Sequence, residues 1–107
     1  MMALSEMEIA VLKATAERNW PGFRVESVRV VRRDNTGAGR FTYLHDDKEQ
    51  FLRDGSYSAN DLSLTIPGLH FGLDFEVVAR TSRLDYMEFT SCGENWSGSE
   101  SGWCLTG

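Results

Sequence analysis

The segment from Cys92 to Cys104 carries the side chains of this chain that are best suited to ligand binding. Two tryptophans, Trp96 and Trp103, flank the palindromic stretch 98–102, which consists of glycine, serine and one glutamate. Indole rings offer flat apolar surface and an N–H donor, a combination that is enriched in binding hot spots. The segment is therefore the best candidate for a ligand or partner surface. The favoured interpretation, however, is that the two rings form a cross-strand pair that closes the core.

Two cysteines and two histidines raise the question of a metal centre. His45, His70, Cys92 and Cys104 lack the short C-x2-4-C spacing of structural zinc modules, so we predict no metal and no other cofactor. The N-terminus lacks the pattern of a signal peptide, so we expect a cytoplasmic protein with reduced thiols. In an exported protein, Cys92 and Cys104 could form a bridge.

Catalytic chemistry has one candidate position, where His45 precedes Asp46 and Asp47. A carboxylate can orient a histidine as a general base, but sequence neighbours seldom adopt that geometry, and no serine nucleophile motif accompanies them. We predict no catalytic residues, and a noncatalytic protein is favoured over an enzyme.

Two loops could contact ligands. Four arginines, Arg29, Arg32, Arg33 and Arg40, surround the glycines at 37 and 39, but no helix follows these glycines, so the P-loop and dinucleotide interpretations fail. We predict instead an exposed basic hairpin, which could pair with the acidic second half of the same or of a second molecule. The stretch 67–72 places His70 in an apolar loop between glycines, which suits either a ligand lip or buried loop anchors.

Length and charge limit the classes of partner. The 107 residues carry a net charge of −5, with seven basic and five acidic residues in 1–45 against four basic and eleven acidic residues in 46–107. This charge disfavours nucleic acid and favours a basic protein partner. No apolar run approaches the roughly 20 residues of a membrane helix, so no membrane contact is predicted. A homodimer between the basic hairpin and the acidic second half is a further option.

Local patterns predict the elements that position these side chains. Ser5 and Glu8 form a capping box, and Pro21 stops the helix near residue 19. Period-two alternation predicts strands at 23–33, with a bulge near Ser27, and at 40–45, 62–66, 73–79, 84–91 and 103–106. A type II turn is predicted at 66–69, and 46–55 is either a short helix or a loop.

These elements predict an α+β fold, with the N-terminal helix packed on one face of a mostly antiparallel five- or six-stranded sheet, as a single domain over 1–107. The first functional hypothesis is a small noncatalytic protein-binding or regulatory module that holds or neutralises a basic partner. The second is a small-molecule pocket between helix and sheet, walled by aromatic rings. The binding residues predicted across both are Trp96, Trp103, Asp74, Glu76, Tyr43, Tyr57 and His70.

Overall fold

The structure is a computed structural model that describes residues 1–107. Helix α1 spans Glu6–Asn19, and a 3-10 turn at Val25–Ser27 leads into the strands. There are seven strands: β1 (Val28–Asn35), β2 (Gly39–Asp46), β3 (Gly55–Tyr57), β4 (Ser63–Thr65), β5 (Leu73–Arg80), β6 (Arg83–Ser91) and β7 (Cys104–Thr106).

The sheet is antiparallel throughout, with the strand order β1-β2-β6-β5-β4-β7 and with β3 paired to β5 beside β4. Together with the helix, this confirms the predicted α+β class. The sheet has one strand more than the upper predicted number, because β3 begins at Gly55, the last residue of the ambiguous segment 46–55.

The capping box at the start of α1 is confirmed. The Ser5 hydroxyl accepts a hydrogen bond from the backbone N–H of Glu8 at 3.2 Å, and the Glu8 carboxylate accepts one from the Ser5 N–H at 2.9 Å. Two otherwise unsatisfied backbone donors are thereby paired, which fixes where the helix begins.

The segment that follows β2 is a loop, not a helix. The Asp46 carboxylate does accept hydrogen bonds from the backbone N–H groups of Lys48 and Gln50, as a helix cap would. Glu49, however, has a φ of 49°, and a left-handed residue cannot continue a right-handed helix. The cap-like pattern therefore closes a turn.

The strand predicted over 23–33 begins only at Val28, and its bulge does not lie near Ser27. Residues 25–27 form the 3-10 turn, and the register of β1 against β2 shifts between Val30 and Arg32. Val31 is the extra residue of this bulge and is exposed. The shift sends Arg32 to the same face as Tyr43, its cross-strand partner.

Two turns fix the registers of the longer strands. The predicted turn at 66–69 is confirmed by the Leu69 N–H, which donates to the Ile66 carbonyl at 3.1 Å, and by Gly68 at a φ of 96°. Thr81 and Ser82 join β5 to β6 with φ values of 54° and 65°. Two consecutive positive φ values are typical of a type I′ hairpin turn.

One hydrophobic core lies between α1 and the sheet. Met7, Val11 and Leu12 from the helix are fully buried in it, together with Val77 and Phe89 from the central strands. The radius of gyration is 13.1 Å, which is that of a single compact domain of about 100 residues. No helix in the chain combines the length and the apolar character needed to cross a membrane.

Candidate functional site

The face of the sheet opposite α1, which we call the open face, carries a group of aromatic rings. Along β2, Thr42 and Leu44 point into the core, so Phe41 and Tyr43 point to the open face. Tyr86 of β6 lies directly opposite Tyr43. Ring centroids in this aromatic cluster lie 5.7 to 6.3 Å apart, within the range of favourable aromatic pairs.

Arginines of the same chain stack on two of the three rings. The Arg32 guanidinium lies 4.0 Å from the centre of the Tyr43 ring, and its Nε lies 3.2 Å from the Asp34 carboxylate. Arg80 lies 5.5 Å from the Tyr86 ring and 3.8 Å from the Asp85 carboxylate. Each of these arginines thus contacts both an aromatic ring and a carboxylate.

Three carboxylates on the open face have no cationic partner within the chain. Glu76 of β5 and Glu88 of β6 are direct cross-strand partners, and Asp74 lies opposite Thr90 in the next register position on that face. No lysine or arginine nitrogen lies within 4.0 Å of any of them. Like charges placed directly opposite each other destabilise a sheet, so this arrangement works against the stability of the free protein.

These carboxylates border a groove of about 290 Å³, whose walls also include Phe75 and Thr90. The Ser56 hydroxyl donates to Glu76 at 2.7 Å, which holds that side chain in place. No three side chains of the metal-ligating types converge on one point anywhere in the chain. The groove thus presents three carboxylates, one of which is oriented by a hydroxyl group.

The structure divides the predicted binding residues into separate groups. Tyr43, Asp74 and Glu76 lie together on the open face. Tyr57 instead packs edge-on against Trp20, with ring centroids 4.8 Å apart, at the margin of the core. These aromatic and acidic positions therefore do not line one common site.

The two tryptophans of the segment 92–104 do not pair with each other. Trp96 is 4% exposed, packs against Phe89 and donates its indole N–H to the Ser99 carbonyl at 2.9 Å. Trp103 is half-buried against the core. The hairpin that would have placed the rings opposite each other does not form, because β7 pairs with β4 instead.

The strand order also separates the two cysteines. Cys92 follows β6, Cys104 begins β7, and both β5 and β4 lie between those strands. Three strand spacings amount to about 14 Å, whereas a disulfide requires Cα atoms within about 7 Å. Both cysteines are free and exposed, and a bridge between them within one chain is incompatible with this fold.

His70 lies in an exposed loop that a carboxylate organises. The backbone N–H groups of His70 and Phe71 donate to Glu94 at 2.9 and 3.1 Å, and these bonds lower the pKa of Glu94. The Phe71 side chain is 68% exposed, so it is not the buried anchor that one interpretation predicted. A concavity of about 400 Å³ adjoins this loop.

A buried charge network lies between α1 and the sheet, and the sequence patterns did not predict it. The Glu8 carboxylate is fully buried and accepts hydrogen bonds from Arg33 at 2.6 and 3.0 Å, from Arg40 at 3.1 Å and from Thr42 at 2.8 Å. Burial by itself raises the pKa of Glu8, but these hydrogen bonds lower it below its usual value. Arg40 also binds Glu100 at 2.6 Å, which ties the tryptophan segment to the hairpin.

This network corrects the prediction of an exposed basic hairpin. Arg33 and Arg40 turn inward to Glu8, while Arg29 pairs with Asp47 at 3.2 Å. The hairpin charges are thus neutralised within the chain. The complementary charges that suggested a homodimer are used internally, and the dimer itself stays a prediction.

The region between helix and sheet is filled. The concavity lined by α1 near Trp20 and Phe23 has a volume of about 120 Å³, well below the roughly 300 Å³ of typical ligand pockets. A larger concavity of about 630 Å³ lies between the turn at 66–69 and the segment 95–102, where Trp96 is the one aromatic residue among mainly glycine and serine. Tyr43 lies on the other side of the sheet.

The open face is where sequence-predicted binding residues from different strands do come together. Compared with known proteins, this chain matches no protein-family model, no curated protein and no solved structure.

Proposed function

We propose that this protein is a noncatalytic binding module that holds a basic protein partner on its open face. The observation that carries the proposal is the direct cross-strand pairing of Glu76 with Glu88 without a counter-ion. Such a pair opposes folding by roughly 0.2–1 kcal/mol. A cationic side chain from a partner would convert this repulsion into attraction.

The aromatic cluster supports a protein partner. Phe41, Tyr43 and Tyr86 are half-buried by the chain itself and leave the rest of their ring surface on the open face. Tyrosine and other aromatic residues are over-represented where partners contribute most binding energy. The cluster lies beside the carboxylates in the pairing register, so apolar and charged contacts would be made together.

Charge beyond the face favours the same class of partner. The net charge of −5 would speed the approach of a basic protein at low salt. Neutralisation of a basic toxin is one activity of this kind. The proposal places the protein in the cytoplasm, where its two free cysteines would stay reduced.

A display experiment tests this proposal. The immobilised protein would be challenged with a library of random short peptides, and the net charge of the enriched peptides would be determined. The test variant, Asp74→Lys with Glu76→Lys, reverses charge on the open face. The control variant, Glu17→Lys with Glu26→Lys, makes the same change in net charge at exposed positions on the helix and the turn after it.

We expect the wild-type protein and the control to enrich peptides of net positive charge, and the open-face variant to lose this enrichment. Circular dichroism would verify that both variants fold. Equal loss in the two variants would show that overall charge, not the open face, governs binding. Absence of basic peptides from the wild-type selection would refute the proposed function.

A further inference from the structure

The proposed function leaves open which basic side chain the partner inserts. We infer that the open face is a seat for an arginine, stacked on Phe41 and paired with Glu88 and Glu76. The inference rests on the proposed function and adds the identity of the anchoring residue. The inference is drawn from three similar sets of an aromatic ring and nearby carboxylates on the same face.

Two of these arrangements are complete within the chain. Arg32 stacks on Tyr43 and pairs with Asp34, and Arg80 stacks on Tyr86 beside Asp85. In both cases a guanidinium group lies over a ring and within 4.0 Å of a carboxylate. This sheet surface therefore accommodates arginine by stacking and ion pairing at once.

The third arrangement has a ring and carboxylates but no arginine. Phe41 belongs to the same aromatic cluster and lies directly opposite Glu88, which in turn lies opposite Glu76. The ring and the two carboxylates thus occupy adjacent strands at one register position. No cation of the chain stacks on Phe41 or pairs with either glutamate.

The pairing of an aromatic ring with carboxylates favours guanidinium over ammonium. Glu88, which lies opposite Phe41, also borders the groove of about 290 Å³, where Asp74 extends the negative charge beyond the two glutamates. A guanidinium group is planar, donates in two directions to carboxylates and stacks on aromatic faces, whereas a lysine ammonium is a compact, strongly hydrated charge. The Phe41 ring gives a guanidinium group the larger advantage, because its planar face can stack on the ring.

Fluorescence anisotropy with two labelled probes would test this inference. The probes are tetra-arginine and tetra-lysine peptides, which have equal length and charge. We expect the wild-type protein to bind tetra-arginine about fivefold more tightly than tetra-lysine. In Phe41→Leu this preference should disappear, because the affinity for tetra-arginine should fall more than that for tetra-lysine. In Glu88→Gln both affinities should fall.

Matched controls lie elsewhere on the surface. Phe71→Leu removes an exposed phenylalanine from a loop, and Glu26→Gln removes an exposed charge that has no partner. Both should leave the preference and the affinities as in the wild type. If Phe41→Leu fails to fold, amide chemical shifts of the wild-type protein serve instead. Tetra-arginine should then perturb the amides of Phe41 and Thr90 and leave that of Phe71 unchanged.

The outcomes separate this inference from the proposed function. Equal affinity for both probes, weakened by Glu88→Gln, would overturn the arginine seat while supporting a basic partner. An arginine preference that persists in Phe41→Leu would also overturn it. Failure of both probes to bind would refute the inference and the proposed function together.

Discussion

Replacement of Glu8 by glutamine tests the physical basis of this fold most directly. The fully buried carboxylate accepts hydrogen bonds from Arg33, Arg40, Thr42 and the Ser5 backbone. Glutamine preserves the shape and can still accept from the Ser5 N–H, because glutamine also completes a capping box. It cannot supply the charge or the second acceptor oxygen, so both arginines lose an ionic partner.

The magnitude follows from the burial of those arginines. Removal of one member of a buried ion pair costs about 3–5 kcal/mol. Arg40 is 4% exposed but keeps Glu100, and Arg33 is 25% exposed and can reach water. We therefore expect the lower end, a loss of about 3 kcal/mol. In a domain of this size, that loss lowers the Tm by about 12 °C.

Glu6→Gln is the matched control, since Glu6 lies in the same first turn of α1 but is exposed. It should lose only the attraction to the helix dipole, about 0.3–1 kcal/mol. Urea unfolding monitored by circular dichroism would give the free energy of unfolding of both variants. If the two substitutions cost the same, the buried network does not stabilise the fold as argued.

The same variant predicts a pH dependence. The pKa of Glu8 is lower in the folded than in the unfolded chain, so the unfolded chain takes up a proton first as the pH falls. The stability contributed by Glu8 is present above the unfolded value of about 4.3 and is lost below it. The difference in free energy of unfolding between wild type and Glu8→Gln should therefore shrink in acid. A constant difference from neutral pH to well below about pH 4 would contradict this assignment.

Three further predictions address the turn, the core and a thiol. Ser82 has a φ of 65°, so Ser82→Gly should raise the free energy of unfolding in urea by about 0.5–1 kcal/mol; a decrease would contradict the type I′ turn. Because Trp96 is buried in the core, Trp96→Ala should cost about 3–5 kcal/mol in thermal or urea unfolding, and a loss below 1 kcal/mol would be inconsistent with this packing. Loss of hydration and the charges of Asp74 and Glu94 raise the pKa of the Cys92 thiol. Asp74→Asn should therefore speed the reaction of Cys92 with a thiol reagent at neutral pH, measured with Cys104 replaced. An unchanged rate would argue against the contact between Asp74 and Cys92.

Local signals in the sequence predict most of the elements. The Ser5 and Glu8 pair indicates where α1 begins, because both partners lie within one helical turn. The alternation at 73–79 predicts β5, and the Pro-Gly pair predicts the turn at 66–69. These features depend on residues that are close in the chain, which is why periodicity and turn chemistry identify them.

The candidate site depends on contacts between distant residues, and the sequence does not specify these. Phe41 meets Glu88 only because β6 pairs with β2, although β3, β4 and β5 lie between these two strands along the chain. The burial of Trp96 likewise depends on Phe89 and on the loop that folds over it. Predicting the open face would have required the pairing of β2 with β6, which none of the local patterns encodes.

The Glu8 carboxylate has a consequence for how the molecule unfolds. Helices of about the 14 residues of α1 are marginal when isolated in water. Here the group that caps the first turn also neutralises Arg33 and Arg40 on the hairpin. Fraying of the helix from its N-terminus would therefore deprive Arg33 of its carboxylate and leave Arg40 with Glu100 alone. Opening of the helix and detachment of the hairpin thus become one cooperative event. The first turn of α1 is therefore expected to unfold as slowly as the hairpin to which it is tied.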